Sequence, residues 1–164
     1  MKSRIVNLEN VAFQSRSHGA GFACQIAPVG TEIDSRMLGY NVTVIPPGKR
    51  AFPYHAHRAN EEMFFVLEGE GSIRIAGTTH RIRQGDFISL PPGRGSAHQI
   101  LNDSQAPLRY LAVSTRHSPE VVEYPDSGKV AVMAGAPGGG TPPEDMLRHV
   151  SRLKDAVDYW DGES

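Results

Sequence analysis

The chain has 164 residues, the size of one domain, and at that length folding buries about two-thirds of the surface that the unfolded chain exposes. Hydrophobic residues make up 39% and charged residues 21%, a balance that excludes a disordered chain. The formal net charge is −1 with no block of Lys or Arg, which argues against nucleic acid or a membrane surface as partner.

Met1–Asn10 carries charge at both ends of a very short apolar piece, shorter than the core of a secretory signal. No stretch approaches the roughly 18 apolar residues of a membrane span. The single cysteine, Cys24, leaves no intrachain disulfide and fits a reducing compartment, so the expected location is the cytoplasm.

Three zones follow one another. Residues 1–36 read as an N-terminal arm whose best strand is Phe22–Ala27. Residues 37–115 are a dense succession of short strands, predicted at 38–45, 52–57, 62–67, 72–76, 79–83, 86–90, 97–102 and 108–114. Gly and Pro punctuate them, as in Pro46-Pro47-Gly48, Glu68-Gly69-Glu70-Gly71, Gln84-Gly85-Asp86 and Pro91-Pro92-Gly93. This spacing predicts an all-β sandwich or barrel. Residues 116–164 form a C-terminal extension expected to pack on that barrel.

Met63-Phe64-Phe65-Val66-Leu67 is apolar on both alternating faces, so something must cover its outer side. A second subunit or a terminal arm would do so, and the expectation is a homodimer. In the extension, Ala134–Gly140 reads as a flexible loop. Thr141-Pro142-Pro143-Glu144 then has the form of a helix start, with a weak apolar stripe after it, which predicts a short helix near 143–155 or else a loop dressing the barrel.

The chemistry gathers around four residues. His55 and His57 are two apart on a strand and project from one face; Glu62 follows a short turn, and His98 begins a later strand. Three imidazoles and one carboxylate suit one divalent transition metal, such as Fe, Mn, Zn, Ni or Co, and leave positions open for chemistry. Singly each piece has a plainer reading: an exposed or core His pair, a solvated Glu61-Glu62 turn, a polar loop histidine.

The surrounding phrase carries more. Gly48 precedes His55-x-His57, four residues lead to Glu62, and six more to Gly69; then Gly85, five residues, Pro91-x-Gly93, His98, three residues and Asn102. This resembles the two motifs of the cupin superfamily, Gly-x5-His-x-His-x3–4-Glu-x6-Gly and Gly-x5-Pro-x-Gly-x2-His-x3-Asn, over about residues 40–115. The chain is most similar to small single-domain bacterial cupins with a C-terminal extension. Two departures stand out: Gly48 lies one residue further from His55, and four residues rather than two separate Gly93 from His98. The resemblance implies an all-β double-stranded β-helix, a jelly-roll barrel, with His55, His57, Glu62 and His98 holding a metal near one open end.

Alternation from Glu62 and His98 places Phe64, Val66, Ile100 and Asn102 on the interior face, as pocket wall or as plain barrel core. Tyr40 and Asn41 lie on a strand flanking the site, and Arg94 is an anion clamp at the mouth or a solvated loop residue. Tyr54 should face away from His55. His80 and His117, beside turn or strand-end signals, read as surface, and His18 and His149 have no ligand-like neighbours. Tyr124–Lys129 reads as a turn, and Trp160 as a hydrophobic peg anchoring the terminus. Three functions compete: a metal-dependent enzyme of dioxygenase type acting on a small molecule, a metal-dependent isomerase or lyase of a small polar molecule, and a non-catalytic barrel that binds or senses a ligand. A phosphorylated substrate would require basic residues aimed into the barrel, and Arg74 and Arg109 are the candidates.

Overall fold

A computed structural model of the chain describes residues 4–135 and 145–163. The N-terminal arm supplies β1 (Gln14–His18) and β2 (Phe22–Ala27), followed by the single helical turn Val29–Glu32. The central zone contains β3 (Leu38–Ile45), β4 (Ala56–His57), β5 (Glu62–Glu68), β6 (Glu70–Ile75) and β7 (Thr78–Arg83). It continues with β8 (Phe87–Leu90), β9 (His98–Leu101) and β10 (Leu108–Thr115). The extension adds β11 (Glu120–Tyr124), β12 (Lys129–Ala134) and β13 (Leu147–Arg152).

These strands make a six-stranded sheet in the order β1-β2-β3-β10-β5-β8, a three-stranded sheet β7-β6-β9 and a four-stranded sheet β13-β12-β11-β4. Every ladder is antiparallel. Strands distant in sequence lie side by side, as in the β3–β10–β5 ladders, and the result is a double-stranded β-helix. Turn chemistry sets the corners. Ala76 and Gly77 both have positive φ in the two-residue connection between β6 and β7, the backbone that tight hairpins prefer. Gly69 joins β5 to β6 with φ +82°, and a Cβ there would lie 2.4 Å from the Pro107 carbonyl oxygen.

Inward-facing residues of these strands fill the barrel: Ile45, Phe64, Val66, Ile73, Ile82, Leu90, Leu108 and Tyr110 are among its buried members. Each large aliphatic or aromatic side chain withdrawn from water contributes about 1.5–3 kcal/mol. A second cluster answers the two-faced apolar strand. Val6, Leu8, Val11 and Phe13 of the arm pack with Ala27 and Val42 over Leu67 and Leu111, on the outer side of β5 and β10. Further along the same face, the Phe65 ring sits 4.3 Å from that of Phe87, which is 72% exposed.

The extension departs from expectation at its far end. No helix occupies 147–155: Leu147–Arg152 is strand β13, paired residue for residue with Ala134–Lys129, and Leu153–Asp155 is one 3₁₀ turn. The apolar stripe has no core to face, since Leu147, Val150 and Leu153 are more than half exposed, so edge pairing with β12 decides the backbone. The helix start at Thr141–Glu144 and the loop residues 136–140 lie outside the described residues. Trp160 is 70% exposed and stacks edge-on against Tyr159 instead of pegging the barrel. Pro125–Gly128 forms the turn between β11 and β12. Among the described residues, no helix is long and apolar enough to cross a membrane.

Candidate metal centre

His55 and His98 meet through the backbone before their side chains meet. The His55 amide donates to the His98 carbonyl at 3.1 Å and the His98 amide returns the bond at 2.8 Å. This isolated antiparallel bridge puts the two rings on one side with centroids 4.5 Å apart. The longer loop before His98 is taken up by a 3₁₀ turn at Arg94–Ser96, and Gly93, at φ 116°, donates its amide to the His57 carbonyl at 2.7 Å.

A repeated device aims the two rings. His55 Nδ1 lies 2.8 Å from the Pro53 carbonyl oxygen, and His98 Nδ1 lies 2.9 Å from the Ser96 carbonyl oxygen. A carbonyl only accepts, so each Nδ1 carries the proton and each Nε2 is left as a lone pair facing inward. Glu62, at the head of β5, brings its Oε2 to 3.1 Å from His98 Nε2 and 3.4 Å from His57 Nε2. Donor atoms of His55, Glu62 and His98 all lie within 4.8 Å of one another. His57 stands at the edge of this group, its ring 5.1 Å from that of His55.

Glu62 Oε2 and His98 Nε2 are buried and make no hydrogen bond among the described residues. Two lone-pair atoms 3.1 Å apart in a buried place repel unless a proton or a metal cation lies between them. Charge around the cluster agrees. Burial pulls the His55 pKa down to about 4, helped by the neighbouring His98, so the ring is neutral at pH 7. Burial pushes the Glu62 carboxyl up, but the contact with His98 and the neighbouring imidazoles of His57, His98 and His55 outweigh it. The carboxyl is held below its usual range. Neutral imidazoles and an ionised carboxylate are the forms that ligate a divalent ion, and these residues fit one.

A cavity of about 210 Å³ opens onto the group. Ala51, Phe52, Phe64, Ile100 and Ala112 give it an apolar wall, and Asn41, Gln99 and Tyr110 give it polar points. Phe64 and Ile100, expected from alternation, line it; the Phe64 ring stands edge-on to His98 at 5.3 Å. Of the other residues named from sequence, Asn41 lines the cavity and the rest lie elsewhere. Val66 is fully buried in the core, one step deeper along β5. Asn102 is fully buried as well, but turns toward the β9–β10 connection, donating to the carbonyls of Ile45 and Ala106. Tyr40 stacks over Gly30 of the helical turn while its neighbour Asn41 reaches the cavity. Arg94 binds Glu123 at 2.6 Å and lines an outer cleft.

Tyr54 is buried with its hydroxyl accepting from the Gly77 amide, facing away from the donor group as expected. Sequence reasoning gave no role to Tyr110, whose phenol burial pushes up, or to Gln99, tied to the Phe52 carbonyl. Alternation along β10 does point Tyr110 inward with Leu108 and Ala112, whereas Gln99 lies on the less buried face of β9, so alternation does not reveal it. It also passed over Glu120, a buried acid beyond His57 that no ligand spacing announces.

Residues 41–114 match the family model described as Cupin domain. An uncharacterised protein of Methanocaldococcus jannaschii is 31% identical over 71 residues, which are 43% of this chain and 54% of that relative, so the match spans about half of its length. Among solved structures, a candidate sugar phosphate isomerase from Acidithiobacillus ferrooxidans superposes with a TM-score of 0.76 at 25% identity. That superposition covers 92% of this chain and 90% of the other. A cupin-superfamily sugar phosphate isomerase from Silicibacter pomeroyi superposes at 0.77 with 20% identity, over 96% and 98% of the two chains. Coverage of this extent takes in the arm and the extension as well as the barrel.

Proposed function

We propose that this chain, whose residues 41–114 match the family model described as Cupin domain, is a metal-dependent enzyme of dioxygenase type acting on a small organic molecule. His55, His57, Glu62 and His98 would hold the ion. One observation carries the reading: buried lone pairs of Glu62 and His98 face each other at 3.1 Å beside a cavity. A divalent ion bound there supplies Lewis acidity and, where it is redox-active, the means to activate dioxygen. The chain's own contribution is positional. Phe64, Phe52 and Ile100 exclude water and hold the apolar part of a substrate, and Asn41 fixes a polar end.

The alternative, an isomerase or lyase, requires a protein base beside the metal and, for a phosphorylated sugar, a cationic anchor. Apart from the donor group, the titratable side chain among the described lining residues is Tyr110, whose raised pKa makes it a poor base at neutral pH. Arg74 is taken by Asp126 and by the Tyr54 ring, 3.6 Å away, and Arg109 sits over Phe13. The cavity wall therefore favours a small, largely uncharged substrate over a sugar phosphate.

For the assembly we propose a homodimer through the extension. Leu147, Val150, Leu153, Val157, Tyr159 and Trp160 are each at least half exposed, beyond the scattered apolar residues of an ordinary surface. Exposed Arg148, Arg152 and Lys154 precede Asp155, Asp158, Asp161 and Glu163, so two copies in antiparallel array match basic against acidic segments. A sedimentation mass of twice 17.9 kDa that falls to the monomer value in L147D/V150D supports this; a monomeric parent refutes it.

The metal reading is tested by elemental analysis of protein purified without an affinity column, beside the H55A/H57A variant. About one equivalent of transition metal in the parent and almost none in the variant is expected. An iron-loaded parent should then consume dioxygen with small aromatic or diketone substrates. A parent that stays empty after exposure to each ion in turn overturns the proposal.

A further inference from the structure

His57 lacks what aims the other two rings. The carbonyl two residues before it belongs to His55 and accepts the His98 amide at 2.8 Å. The bridge that brings the two motifs together thus engages the carbonyl that in the other two histidines' pattern would orient His57. Its Nδ1 is buried with no hydrogen-bond partner among the described residues. The acid it faces is Glu120, whose Oε2 lies 3.8 Å away.

Glu120 is an unusual residue for its place. It opens β11, outside the segment that matches the family model, and is only 4% exposed. Its Oε1 accepts the Arg58 amide at 3.0 Å and the Ala59 amide at 3.4 Å, and its Oε2 accepts from Asn60 Nδ2. Asn60 is fixed in turn: its Oδ1 accepts the His117 amide at 2.6 Å and the Thr115 hydroxyl at 3.0 Å. Every group on the Glu120 carboxyl is a donor, so the site is built for an ionised acceptor, and the side of Oε2 that faces His57 is not filled. A ligating imidazole nearly always donates its second N–H to such a carboxylate or carbonyl, which sets its tautomer and raises its basicity.

We propose that Glu120 is the positioning residue for His57, accepting a hydrogen bond from its Nδ1–H so that Nε2 is presented to the metal. The inference rests on the metal reading above. It makes the extension part of the centre: β11, paired to β4 with Val122 opposite His57, brings a carboxylate that the barrel motifs do not contain.

The test compares zinc affinity, by competition with a chromophoric chelator, in the full-length parent, E120Q, E120D and H55A. Glutamine is isosteric and keeps an acceptor for the Arg58 and Ala59 amides, but turns an N–H toward His57. Zinc affinity should fall about 10- to 100-fold in E120Q, with E120D, which keeps the acceptor, nearer the parent. The visible absorption of the cobalt-substituted protein should change in E120Q alone of these two. A second readout needs no variant: long-range ¹H–¹⁵N spectra of the zinc-loaded parent should show His57 protonated at Nδ1 and ligated through Nε2. Parent-like affinity in folded E120Q, or ligation of His57 through Nδ1, overturns the assignment and leaves the metal reading intact. A parent that takes up no zinc, cobalt or other divalent ion overturns both.

Discussion

Replacing Asn102 by alanine should unfold the protein more readily without emptying its metal site. The Asn102 amide donates to the Ile45 carbonyl at 2.7 Å and to the Ala106 carbonyl at 2.8 Å, while its oxygen accepts the Ser104 amide at 3.0 Å and hydroxyl at 2.8 Å. It ties the end of β3 to the connection between β9 and β10. Each neutral bond contributes about 1 kcal/mol net, and a carbonyl left short of its partner in the interior adds about 1–3 kcal/mol. Some of the lost bonds are made good by water near Ala106 and Ser104, which brings the expected loss to about 3–5 kcal/mol. For a chain of this size that is a drop in Tm of roughly 6–20 °C. Urea unfolding of metal-free protein measures the loss directly, and chelator competition at low temperature measures zinc affinity in the folded variant. A loss below about 1 kcal/mol would show that these bonds are exchanged for water at no cost. A tenfold loss of zinc affinity in folded protein would place Asn102 in the site, against the geometry.

Gly69→Ala should cost about 3 kcal/mol or more, because the new Cβ meets the Pro107 carbonyl oxygen at 2.4 Å in a backbone already left-handed. Gly85→Ala, with similar φ but nothing within 4 Å, should cost only about 1 kcal/mol; equal costs in urea unfolding would discredit the contact argument. In metal-free protein, His55 titrates near 4 when folded and near 6.5 when unfolded, so protons favour the unfolded chain. Its contribution to stability is present above pH 6.5 and lost as pH falls through 4; H55N should flatten that slope, and an unchanged slope would refute the burial of the ring. Glu123→Gln removes the bridges to Arg58 and Arg94, whose guanidinium groups are well exposed. It should cost no more than about 1–2 kcal/mol, with the loss shrinking in molar salt, and a loss insensitive to salt would refute an electrostatic origin.

The central strands were legible because each is bounded by Gly or Pro and filled by residues that suit a pleat. Strand β3 runs over 38–45 as expected, and Phe22–Ala27 is β2 residue for residue. The stretch predicted at 52–57 shrinks to Ala56–His57, since Pro53 breaks the ladder and the chain there is held by the His55–His98 bridge. Phe64 and Ile100 could be read from alternation beside Glu62 and His98. Asn102 could not: the same rule points it inward, but its amide has two backbone carbonyls within reach at the strand end and takes them. The apolar stripe at 146–157 suggested a helix because its spacing fits either backbone, and only the presence of the β12 edge decides between them.

The extension matters to the site because of where it is fastened. Strand β4 is two residues long, too short to hold His57 by its own ladder, and β11 supplies the partner strand at Val122 and Glu123. Glu123 then grips Arg58, one residue after His57, with one oxygen and Arg94, in the lengthened loop before His98, with the other. A single carboxylate thus spans the chain next to a ligand of the first motif and the loop leading to the ligand of the second. Three positions earlier Glu120 faces His57 itself. The two acids flank Val122, whose backbone pairs with His57. One short strand outside the matched segment therefore braces both loops on which the donor atoms depend. This accounts for a four-residue loop where the motif expects two: the added residues form the turn that carries Arg94 to Glu123, and the Ser96 carbonyl within that turn aims His98.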